Sequence, residues 1–213
     1  STWNEFSRRM QMPTMYDVVP GIIKPATKHT QGSYVELFSQ KAVEVFVSHW
    51  WGGEFVEFVT ALSFAAEQLI QDDVAFCARK DKRIRYDLET WRGREPGSVV
   101  FWVCSFANAQ WTVNLGNSLE ESPFEVALSS NTCAAVVMVQ DEEAMPLTRI
   151  WCVYEVLRTG VLQHPFYIAT RHGVLVGERV RDNPALAKSL LALAERLSTM
   201  KPQNAAASNQ QDR

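Results

Sequence analysis

The sequence lacks most of the features that assign a function outright. Its four cysteines, Cys77, Cys104, Cys133 and Cys152, form no Cys-x-x-Cys pair and no Cys/His cluster at metal-ligand spacing. That excludes a disulfide scaffold or a zinc module, and it predicts buried thiols in the cytoplasm or another reducing intracellular compartment, with no metal site. Charge of one sign is also lacking. A formal net charge of −3 and a pI near 5.8 give no overall drive toward an anionic membrane or nucleic acid, so neither is an expected partner. Long apolar runs are missing as well: the stretch Cys133–Val139 is far too short to span a bilayer, and Ser1–Met12 carries charge where a signal peptide would be apolar. No internal repeat is present.

What the chain does have is material for one sizeable core, with 213 residues of which 46% are hydrophobic. Residues 1–41 read as an N-terminal arm. Trp3, Phe6 and Met10 line one side of a short predicted helix, and Pro13, Pro20, Gly21 and Pro25 then punctuate an extended segment. Ser33–Gln40 predicts another turn or two with Tyr34, Leu37 and Phe38 inward. Such an arm needs something to cover, either the domain itself or a protein partner, including a second copy.

The domain proper is placed at 42–200. Ala42–Ser48 reads as a strand buried on both faces, and His49-Trp50-Trp51-Gly52-Gly53 as a tight turn. A helix is predicted from Glu54 to Ile70, with Phe55, Phe58, Val59, Leu62, Ala65, Ala66 and Leu69 on its apolar stripe. Residues 78–97 mix basic, acidic and aromatic side chains and read as a charged insertion anchored by its aromatics. Ser98–Cys104 is the second strand, and Ser118 with Glu121 makes a capping-box pattern opening a helix over Ser118–Ser130. Cys133–Gln140 and Pro165–Thr170 supply two more strands, and Val174–Val176 a hairpin partner. Asn183-Pro184 caps a last helix with Leu186, Leu190, Ala194 and Leu197 on one side, and 201–213 reads as a polar tail. Strands alternating with helices predict a flavodoxin-like, doubly wound α/β domain, with a mostly parallel sheet of four or five strands and helices on both faces.

The stretch Thr148–Gly160 predicts a helix from a threonine cap to a closing glycine. Helical spacing puts Ile150, Val153, Tyr154, Leu157 and Val161 on one stripe, with Trp151 and Glu155 on a neighbouring one. The plain reading pairs Glu155 with Arg158 at the surface. The functional reading starts from topology, because in a flavodoxin-like order ligands settle at the carboxyl ends of the strands, between the first and third. There Glu155 would face the loop 48–53 across a crevice walled by Trp50 or Trp51 and by Trp151, with His49 nearby. A carboxylate among indoles suits cleavage of a ribosyl bond to nitrogen, since it stabilises the positive charge that develops at the sugar carbon. The indole faces would hold a flat cationic leaving group.

Two motifs carry a family resemblance. Val43–His49, a hydrophobic strand ending in Ser-His, resembles the first sequence box of TIR domains, and Trp151-Cys152-Val153-Tyr154-Glu155 resembles their Trp-Cys-x-x-Glu helix. The likeness extends over about Ala42 to Thr170 and lacks the partner-binding second box, in whose place stands Phe106–Asn117. The resemblance implies Glu155 as the catalytic residue of an NAD(P)⁺ glycohydrolase, Trp151 as its buttress, and Ser48, His49 and Trp50 as the pocket loop beside Trp51. NAD⁺ would be substrate, and no cofactor is implied. The alternative expectation is a non-catalytic interaction subunit of a larger assembly, working through the arm.

Overall fold

Hydrophobic strands that can bury both faces need helices on both sides, and the chain supplies them. The computed structural model describes residues 12–74, 91–112 and 115–200. The expected helix around Trp3, the part of the charged insertion before Trp91, and the tail from Lys201 lie outside the described residues. Within them, β1 (Val45–His49), β2 (Phe101–Val103), β3 (Ala135–Val139), β4 (Phe166–Thr170) and β5 (Gly173–Val174) form one sheet in the order β2-β1-β3-β4-β5. The first four run parallel, and β5 returns antiparallel to β4. This is the flavodoxin-like doubly wound arrangement, with its switch point between β1 and β3.

Alternation along the strands divides the core. Val45, Ala135, Val137 and Ala169 pack against Ala61, Ala65, Ala66 and Leu69 of a helix at Phe55–Gln71, whose alanines allow close approach. On the other face Phe46 and Val136 meet Ala127 and Leu128 of the helix Pro123–Leu128, and Met138 meets Leu193 of the helix Pro184–Thr199.

The described part of the arm joins this core. Among the described residues the α-helices of three or more residues are, in chain order, α1 (Met15–Val18), α2 (Lys24–Ala26), α3 (Phe55–Gln71), α4 (Cys104–Ala107), α5 (Pro123–Leu128), α6 (Ile150–Leu162), α7 (Gly177–Asp182) and α8 (Pro184–Thr199), with a π-helical turn, Val19–Ile23, between α1 and α2. Met15, Val18, Val19 and Ile23 are buried with Val47, Phe58 and Val103. At about 1.5–3 kcal/mol per buried side chain, these four anchors contribute on the order of 6–12 kcal/mol before ordering costs. The backbone is stitched to the β1–α3 turn as well, Met15 N donating to Trp51 O at 2.9 Å and Phe55 N to Pro13 O at 2.8 Å. The arm is thus part of the domain's core through Met15, Val18, Val19 and Ile23.

Three expectations need correction. The helix over Ser118–Ser130 shrinks to α5, because Pro123 has no N–H to give a helix already under way and fits only at its start; Ser122 caps it, accepting from Glu125 N. The turn at Tyr34–Leu37 turns Leu37 and Phe38 outward, and only Tyr34 packs inward, on Phe106. On α8 the buried edge runs through Leu186, Ser189 and Leu193, leaving Leu190 and Leu197 exposed, although Asn183 caps the helix as expected. From the charged insertion, Trp91 enters the core and Arg94 grips Glu44 with two hydrogen bonds of 2.9 and 3.1 Å.

Candidate active site at the carboxyl ends of the strands

Helix α6 starts and turns differently from its sequence pattern. Thr148 does not cap it; that residue closes a 3₁₀ turn, Met145–Thr148, and donates its hydroxyl to Met145 O at 2.7 Å. Arg149 takes the N-cap position, Gly160 lies inside the helix, and Gln163, at φ 57°, ends it in the left-handed conformation. The buried face consists of Cys152, Val153, Glu155 and Thr159. Ile150, Leu157 and Val161, expected inside, are 45%, 64% and 68% exposed.

The rotation has a visible cause. Glu125 on α5 is buried, and its carboxylate accepts from Arg158 Nε at 2.8 Å, Tyr154 Oη at 2.8 Å and Ser129 Oγ at 2.7 Å, with a second close contact from Arg158 Nη2. The Arg158 hydrogen bonds hold that carboxyl well below the ordinary range, at about 2. This network fixes Tyr154 and Arg158 against α5 and so turns Glu155 inward. Arg158 is committed to Glu125, and the plain reading of a Glu155–Arg158 pair is corrected.

Glu155 is 4% exposed, and its Oε2 has no hydrogen-bond partner among the described residues. It lines a hollow of about 80 Å³ with Tyr16, His49, Trp51, Arg149 and Trp151 among its walls. The end of β1 and the first turn of α6 meet there, Cys152 Sγ approaching His49 O at 3.5 Å. Trp51 donates its indole N–H toward Cys104 Sγ at 3.4 Å, and Trp151 stacks on Phe124 with centroids 5.0 Å apart. Ser48 is buried; its hydroxyl makes no hydrogen bond of good geometry among the described residues, yet it lies near enough to Glu155 to favour the carboxylate.

Trp50 does not join them. Its indole folds back over Gly52, where a Cβ would collide with the ring, and faces a separate cavity beside Glu57, Gln140 and His172. Of the six residues expected at the site, Glu155, His49, Trp51 and Trp151 share the hollow, Ser48 adjoins it and Trp50 lies elsewhere. Tyr16, Arg149, Cys104 and Phe124 also line it without having been foreseen. Arg149 stands two residues before Trp151 and could have been found from that spacing, but nothing local marks Tyr16, whose contact with Arg149 spans 133 positions.

Burial sets the charge of the hollow. It pushes the Glu155 carboxyl up to about 8, against smaller opposing effects of Ser48 and Arg149. It also pushes His49 down to about 3, helped by the Arg149 charge, and raises the Cys104 thiol to about 12 and the Cys152 thiol further. At neutral pH the hollow therefore holds an un-ionised acid, a neutral imidazole and one guanidinium.

Its size is the main constraint. Sites that enclose small ligands measure roughly 300–1,000 Å³, whereas about 80 Å³ takes only a few waters. At its mouth Tyr16, 37% exposed, accepts a hydrogen bond from Arg149 Nη1 at 3.2 Å and meets Trp51 edge to face at 5.6 Å. Among the described residues, no helix is long and apolar enough to cross a membrane, and no group of three or more His, Cys, Asp or Glu is placed to hold a metal ion. No family model, curated protein or solved structure matches this chain.

Proposed function

We propose that this protein is a TIR-like NAD(P)⁺ glycohydrolase, breaking the bond between nicotinamide and ribose to give nicotinamide and ADP-ribose or a cyclic product. The observation that carries the proposal is that Glu155 lines one hollow at the switch point of the sheet together with Trp51, Trp151 and His49 at the end of β1. In the reaction the C–N electron pair leaves with nicotinamide, which departs neutral and needs no proton. Positive charge is left on the ribose, and an ionised carboxylate hydrogen-bonded to the sugar hydroxyls stabilises it until water adds to the same carbon and loses a proton, giving ADP-ribose, or an adenine nitrogen of the substrate adds, giving the cyclic product. Glu155 is un-ionised when the hollow is closed, and two features of a bound substrate favour its ionisation: the pyridinium charge and the water admitted with it. Trp51 and Trp151 would clasp the pyridinium ring, Ser48 and His49 would support the carboxylate from the strand end, and NAD⁺ enters as substrate with no cofactor.

The test is nicotinamide release from NAD⁺ by wild type and by Glu155→Gln, at protein concentrations high enough for self-association. Release by wild type that rises from pH 6 to 9 and is lost in Glu155→Gln supports the reading. Equal release by both proteins refutes it.

A second reading, an interaction subunit, is favoured by the exposed apolar row Ile150, Leu157 and Val161 on α6, with Val126 exposed on adjoining α5. Leu157→Glu should then shift the protein toward monomer in light scattering, with a stability change within about 0.5 kcal/mol, as for other surface substitutions. An unchanged oligomeric state excludes this face as the contact.

A further inference from the structure

We infer that Tyr16 is a side-chain gate on the Glu155 hollow, swinging away to admit a ligand while the backbone of α1 stays in place. The inference rests on the Glu155 reading for its biological meaning and on packing alone for its geometry. Residues on either side of Tyr16 divide sharply: Met15 and Val18 are each 2% exposed and locked in the core, whereas Tyr16 itself is 37% exposed. Displacing the arm would uncover Met15, Val18, Val19 and Ile23 together, so the whole segment cannot act as the moving part. The phenol ring can move alone. It turns on two torsions, and the Arg149 hydrogen bond and the edge contact with Trp51 are two of the contacts that hold it across the mouth.

The interior offers polar groups for a ligand to meet. Ser48 Oγ, His49 Nε2 and Glu155 Oε2 are buried without hydrogen-bond partners among the described residues, three polar atoms gathered around one hollow too small for a sugar. Arg149 is the hinge of the exchange. When the ring leaves, the Arg149 Nη1 donor that met Tyr16 Oη can turn to the incoming ligand, so closure and occupancy compete for one donor.

Two cysteines give a readout independent of catalysis. Cys104 and Cys152 line the hollow, whereas Cys133 is buried in a different cluster with Phe46 and Leu128. Labelling with a small maleimide at pH 8, followed by peptide mapping, measures access to each. Tyr16→Ala should label Cys104 and Cys152 about tenfold faster than wild type with Cys133 unchanged, Tyr16→Phe about twofold to threefold faster, and Tyr16→Trp more slowly. Equal labelling in Tyr16→Ala and wild type overturns the gate. So does labelling that rises only in step with Cys133, which reports general loosening. Nicotinamide release is followed in the same samples. Faster labelling without release leaves the gate standing and removes the catalytic reading; release without faster labelling does the reverse.

Discussion

Replacing Glu155 by glutamine should make the protein more stable at high pH. The carboxyl is 4% exposed, and burial raises it from an ordinary value near 4.5 to about 8. The folded state therefore holds this proton more tightly than the unfolded chain does. The stability contributed is fully present below pH 4.5 and is lost as pH rises through 8. At 1.36 kcal/mol for each tenfold change in proton affinity, the loss amounts to about 5 kcal/mol when complete, and relaxation around the ionised group reduces this to roughly 3–4. Glutamine keeps the shape and cannot ionise. Urea unfolding of both proteins at pH 5, 7 and 9 gives the comparison, since every other titrating group is shared and cancels in the difference. The two should agree within about 1 kcal/mol at pH 5, and Glu155→Gln should be the more stable by about 3–4 kcal/mol at pH 9. A difference that does not change with pH would mean that Glu155 is hydrated in the folded state, and the argument for a desolvated carboxyl would fall with it.

Two further outcomes follow from the neighbouring groups. Arg158→Ala removes the cation from buried Glu125 and should cost about 2–4 kcal/mol at pH 7. Because the Glu125 carboxyl sits at about 2, that stability is present above the ordinary carboxyl range and is lost as pH falls through about 2, so the cost should shrink on acidification; a cost unchanged at pH 2.5 would contradict the pairing. His49, held neutral down to about 3, should show an imidazole proton resonance that does not titrate between pH 8 and 5, and a midpoint near 6.5 would show that the ring is open to water.

The fold was legible because its signals are local and repeat. Val45–Val47 and Cys133–Val139 are short apolar, β-branched-rich runs bounded by turn signals, as buried parallel strands are, and Asn183-Pro184 marks the start of α8. The orientation of α6 was not legible. Its apolar stripe predicted Ile150, Leu157 and Val161 inward, and the helix instead obeys Glu125, a partner about thirty positions away, which fixes Tyr154 and Arg158. Periodicity counts hydrophobic area, and a buried ion network with several hydrogen bonds outweighs it here. The same limit explains the site. The Ser-His turn and the Trp-Cys-x-x-Glu helix could be paired through topology, but the closure of the hollow depends on Tyr16 and Arg149, which meet only once the arm has packed on the sheet. Trp50 and Trp51 are adjacent in sequence, and their contacts separate them: Trp50 lies over Gly52, while Trp51 meets Cys104 and Tyr16, both remote from the turn, in the hollow.

The most direct measurement is single-turnover nicotinamide release from NAD⁺ at pH 9, comparing Tyr16→Ala with the double variant Tyr16→Ala/Glu155→Gln. With the mouth open and the acid ionised, the single variant should release nicotinamide and the double variant at least a hundredfold less. Equal release by the two, or none by the single variant once its Cys152 has become accessible, would contradict a catalytic carboxylate at position 155.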